Sequence, residues 1–190
     1  MRKIYFNDYD PNLLMWKYKG KINRGFIYRN KVSVPHGFYA VVKQYNENFT
    51  TVFEGYTVDF REVSDIYFVR KHIETQTWGV IDIICIDPES KSKTLTSILG
   101  KVKFSVLNPK ELVYNISGLG TEVSIPYFWI EELLPHVRPK IKGILSQHVV
   151  EKKFEIISRE LELEENLSVV SQIFNKYGLF IESFIPTDMK

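Results

Sequence analysis

The sequence contains one cysteine, Cys85, which excludes an internal disulfide framework and fits a reducing cytoplasm. No apolar run approaches the roughly 18–20 residues of a membrane-spanning helix, and Met1-Arg2-Lys3 leads into a broken pattern, not a signal-peptide core. The net charge is only +2, so no global field recruits nucleic acid or anionic lipid. The four histidines, His36, His72, His136 and His148, stand in different segments, without His-x-x-x-His or Cys-x-x-Cys spacing, and predict no metal site. Gly118-Leu119-Gly120 lacks the lysine and serine of a phosphate loop. Cys85 shares a strand face with Ile81 and Ile83 and reads as a small hydrophobe, because a catalytic thiol wants a histidine and a cationic setting. Glu131-Glu132 and the glutamates of 160–165 read as helix-surface charge. These absences predict a non-enzyme with no cofactor and no small-molecule substrate.

What is present is ordinary globular material, 44% hydrophobic, with 13 phenylalanines and 11 tyrosines that favour strands. Strands are expected at 12–18, 31–34, 38–45, 49–53, 56–60, 64–71 and 76–87, with a long one at 95–107 bulged at Gly100. Asn46-Glu47-Asn48 marks a hairpin, and Asp87-Pro88-Glu89-Ser90 a turn that the aspartate caps. The period then changes. Asn108-Pro109 caps a short helix that ends at Gly118-Leu-Gly120. Helical spacing continues from Ser124 to about Glu151, kinked or divided at Pro135 and Pro139, and again from about Leu161 to Tyr177. Gly178 closes that helix, and Leu179 to Ile185 form a last strand. The expected fold is α+β, a bent antiparallel sheet with three or four helices beside it and a C-terminal strand that returns to the sheet.

Charge is unevenly placed. Residues 17–31 hold Lys17, Lys19, Lys21, Arg24, Arg29 and Lys31 and no acid, while 160–165 hold four glutamates. Two solvated surfaces would account for this. So would a polar protomer whose basic end meets an anionic surface or a neighbour's acidic end. Trp16, Tyr18, Phe26 and Tyr28 interleave with the bases. Three readings stand open for this stretch: contact of Trp16 and the six cations with an anionic membrane surface, stacking on single-stranded nucleic acid, or aromatics facing the core with lysines in water. A peptide-binding sheet edge is a further alternative.

In their order, several motifs resemble the SPFH, or band-7, domain of stomatins, prohibitins and flotillins, and in particular its soluble virion-core-protein-like branch. Val32-Ser-Val-Pro-His-Gly-Phe-Tyr-Ala-Val-Val42, a hairpin and Gly55-Tyr56-Thr57-Val58 are similar to its opening. Trp78-Gly79 through Asp87, then Gly100-Lys-Val-Lys-Phe-Ser-Val-Leu-Asn-Pro109, resemble its middle strands and helix start. Tyr177-Gly178-Leu179 with Phe184-Ile185 resembles its ending. The resemblance spans about residues 12–186 and divides the chain into an N-terminal strand and basic segment, 1–30, and an SPFH-like domain, 31–186. It implies no active site and homo-oligomeric scaffolding, usually at a membrane. The family's membrane-inserting segment and following coiled coil have no counterpart here, so the expectation is a cytoplasmic chain, at most peripheral to a membrane, closing where longer relatives launch a coiled coil.

Overall fold

Runs of β-branched and aromatic residues, punctuated by glycine, proline and asparagine, make the first half of the chain a succession of strands. The computed structural model describes residues 2–4, 10–22, 29–147 and 151–190. The strands are β1 (Arg2–Ile4), β2 (Leu13–Lys17), β3 (Asn30–Ser33), β4 (Phe38–Gln44), β5 (Phe49–Val52), β6 (Thr57–Phe60), β7 (Val63–Arg70), β8 (Gln76–Ile86) and β9 (Lys93–Val106). There follow α1 (Pro109–Ile116), β10 (Glu122–Ser124), α2 (Ile125–Tyr127), a π turn (Phe128–Leu133), α3 (Leu134–Gln147), α4 (Phe154–Glu162), α5 (Glu164–Asn175) and β11 (Leu179–Met189). The fold is α+β with a closing C-terminal strand. Its strands divide among three sheets, in which β1 runs parallel to β3 and the other paired strands are antiparallel.

The chain forms two compact units, Met1–Ile73 with Val106–Phe128, and Glu74–Ser105 with Trp129–Lys190. The boundary expected near residue 30 falls inside the first unit. That unit holds the sheets β1-β3-β6 and β10-β2-β7-β4-β5. Ile4, Val32 and Phe60 from the smaller sheet, with Val34 just past β3, share one core with Phe38, Ala40, Val42, Ile66 and Phe68 from the larger. On the other face of β4, Tyr39 and Val41 are also buried, and α1 lies against β4, β5 and β7. Covered on both faces, β4 loses the buried/exposed alternation of a surface strand. Asn108 caps α1 as expected, its side-chain oxygen accepting from the Glu111 N–H at 3.3 Å.

The second unit holds the sheet β11-β9-β8. α3 packs on β8, α4 and α5 on β11, and the three helices on one another. Phe104 of β9 meets Phe174 of α5 edge to face, with ring centroids 5.2 Å apart, and Trp129 joins them. Of the two longer expected helices, the first is not divided at Pro135 or Pro139 but changes pitch within one continuous helical run, and only the second is broken. The segment from Ser124 opens with Ser124 capping α2, then widens into the π turn that stops two residues short of Pro135, whose missing N–H cannot continue a regular ladder. The 161–177 helix is broken at Leu163, which is extended at ψ 134°. Glu160 and Glu164 would repel at i,i+4 in one continuous helix, whereas Glu164 and Glu165 suit the N-terminal turn of α5. Gly178, at φ 70°, ends α5 and turns the chain into β11.

Candidate functional site

The basic stretch is built around β2 in the first unit. Trp16 is half-buried, stacked on Phe68 with ring centroids 5.5 Å apart and edge-on to Phe38. Its ring therefore belongs to the core, not to an exposed aromatic platform. The Lys17 ammonium lies 2.6 Å from the Asp65 carboxylate and over the Tyr67 ring; the hydrogen bond to Asp65 raises its pKa. Lys19 donates to Glu122 at 2.6 Å. Lys21 and Arg29 are exposed, and Lys31 is half-exposed on β3. Arg24, Phe26, Tyr28 and His148 lie outside the described residues. A shallow cleft of about 310 Å³ runs along Lys17, Lys19, Lys21, Ser64 and Asp65. Two of its cations already face carboxylates, so its positive field is largely compensated.

The remaining sequence candidates are dispersed. His36 sits in the turn before β4, His72 between β7 and β8, and His136 on α3. His136, Lys140, Lys176 and Tyr177 border a cavity of about 280 Å³, where burial and the Glu132 charge push the Tyr177 hydroxyl pKa up. Cys85 is fully buried, and desolvation raises its thiol pKa. Among the described residues no group of three or more histidine, cysteine, aspartate or glutamate side chains could hold a metal ion. No helix among them is long and apolar enough to cross a membrane.

What the sequence reading missed lies on β8 and β9. Val80 pairs with Ile98 and Ile83 with Thr96, so Ile81 and Asp82 together oppose Ser97. The bulge is therefore on β8, with Asp82 at φ 57°; at Gly100 the ladder is regular, Trp78 facing Gly100. An extra residue inverts the face of everything after it. Trp78 and Val80 are buried before the bulge, Ile83 and Cys85 after it, and Ile81 does not share their face as strict alternation predicts. The outer face consequently exposes Ile81 (68%), Ile84 (47%), Leu95 (59%) and Leu99 (40%), and Ile84 stands directly across from Leu95.

The free edge of β8 is partly closed. The Thr77 carbonyl accepts from the Trp129 indole N–H at 2.8 Å, and the Gly79 carbonyl from Arg138 Nε at 3.0 Å. Further along, the Ile86 carbonyl accepts from the Lys152 backbone N–H at 2.7 Å. Between these points, a cavity of about 380 Å³ opens at Gly79, Val80 and Ile81, with Arg138, Pro139 and Lys142 of α3 opposite. The signal available in the sequence was modest: 134–147 carries His136, Arg138, Lys140 and Lys142 and no acid. No protein-family model matches this chain, and no curated protein matches it in sequence.

Proposed function

We propose that this chain is a non-enzymatic assembly module of the SPFH type that associates with further copies of itself through the outer face of β8 and β9. The observation that carries the reading is the apolar strip Ile81, Ile84, Leu95 and Leu99 on a sheet whose other face is covered by helices. Contiguous apolar surface of this kind marks interaction sites. A stable interface takes roughly 800 Å² from each partner, more than four side chains supply. Lys93 and Lys101 on the same face of β9, and Asp82 in the bulge, are exposed and would form the rim. Both signs on one face suit a twofold contact in which Asp82 of one copy approaches a lysine of the other. The order of elements, which resembles the SPFH domain, supports the same reading.

The competing reading, strand addition to the edge of β8, is disfavoured by the donors on Thr77, Gly79 and Ile86, which occupy carbonyls an added strand would need. Peripheral contact with an anionic membrane from the cytoplasmic side is a further part of the proposal. It falls to Lys21, Arg29 and Lys31, because Lys17 and Lys19 face carboxylates. Light scattering after size exclusion tests the association. Only monomer at high concentration and low salt overturns it, and failure to co-float with anionic liposomes removes the membrane part.

A further inference from the structure

We infer that the cavity between the β8 bulge and α3 is a binding site for a small amphipathic anion, a carboxylate carrying a short hydrocarbon chain. The volume, about 380 Å³, lies in the range of roughly 300–1,000 Å³ typical of small-molecule sites. Its walls divide by chemistry. Val80, Ile81, Pro139 and the bare backbone of Gly79 supply apolar surface, and Arg138 and Lys142, one helical turn apart, supply positive charge.

Three features show that the site is built. Ile81, the first residue of the bulge, lies on the exposed face of β8 and lines the cavity. The Gly79 carbonyl accepts from Arg138 Nε, which fixes the guanidinium plane and leaves its two terminal nitrogens to donate outward. Among the described residues neither Arg138 nor Lys142 forms an ion pair. A carboxylate between them would take charge-assisted hydrogen bonds from a held guanidinium and an ammonium, while its chain covers Ile81 and Pro139. Phosphate alone would satisfy the cations and leave the apolar wall in water.

The test is amide and indole NMR on the full chain, titrated separately with sodium octanoate, 1-octanol and inorganic phosphate. Saturable octanoate shifts are expected at the amides of Gly79, Ile81 and Gly143 and at the Trp129 indole N–H, whose acceptor is two residues from the cavity floor. Arg138→Gln with Lys142→Gln should weaken octanoate by about tenfold or more, the loss of a charge-assisted contact, and leave octanol unchanged. Lys142→Gln alone leaves the Gly79 bond intact and should weaken octanoate in the same direction. The proposal is overturned if octanoate gives no saturable shift there, if the variants bind it as the parent does, or if phosphate alone reproduces the effect. Self-association is read independently by light scattering, so this site and the assembly reading can fail separately.

Discussion

The Trp78 ring lies across Gly100: a β-carbon built on Gly100 would stand 2.1 Å from Cζ2 of the indole and 2.7 Å from the Ile185 carbonyl oxygen. The two residues pair directly across β8 and β9, and the indole stacks on Phe184 of β11 with ring centroids 4.7 Å apart. One glycine thus admits an aromatic that ties all three strands of the sheet together. Among the described residues the indole N–H has no hydrogen-bond partner, and the ring is held there by packing. Gly100→Ala should cost about 1–3 kcal/mol in urea unfolding, because both the ring and the backbone must give way. Gly118→Ala, which meets nothing within 4 Å, serves as the neutral control.

Glu54 joins two parts of the first unit. Its carboxylate accepts from the Gly37 N–H at 2.7 Å and faces the Lys71 ammonium at 2.9 Å. The backbone bond first, and then Lys71, hold its pKa below the ordinary 4.5. A depressed folded-state pKa adds stability that is present above the unfolded value and lost as pH falls through the folded one. Glu54→Gln should therefore be less stable than the parent at neutral pH. The gap should close as pH drops below 4.5. A constant difference across that window in urea titrations would contradict the assignment.

Cys85 is shielded by burial, and its raised pKa keeps it a thiol. Iodoacetamide should label the native protein about a hundredfold or more slowly than the urea-unfolded chain, since reaction waits on opening of the β8 region. Equal labelling rates would show that β8 is not held as described.

Leu95→Lys places a charge at the centre of the outer strip, opposite Ile84. Leu95 is more than half exposed, so folded stability should change by less than about 0.5 kcal/mol. Association seen by light scattering should fall sharply. Association unchanged in Leu95→Lys would move the interface elsewhere.

Local order was legible wherever neighbours along the chain decide the outcome. Asn108-Pro109 starts α1 because a side-chain acceptor and a preset φ act within one turn, and Gly178 ends α5 because only glycine takes that φ cheaply. The hairpin at Asn46-Glu47-Asn48 falls between β4 and β5. The break at Leu163 was less legible, since the apolar spacing runs on across it while charge repulsion and tertiary packing act against one helix. The bulge was misplaced for a related reason: Gly100 carries the usual signal, yet its missing side chain serves a close approach and not an extra residue. The basic stretch stands out by its charge and its interleaved aromatics, whereas the partners Asp65 and Glu122 lie far from it in sequence.

By itself the sequence determined the α+β class, the strands other than β1 and β10, the Asn108 cap and the closing strand after Gly178, because these follow from backbone preference and apolar period. Only the tertiary structure decided that the strands divide among three sheets, that an extra residue at Ile81-Asp82 inverts β8, and that Arg138 and Lys142 face that bulge. Those are matters of register and of which face another element covers, and both are fixed by contacts between residues distant along the chain.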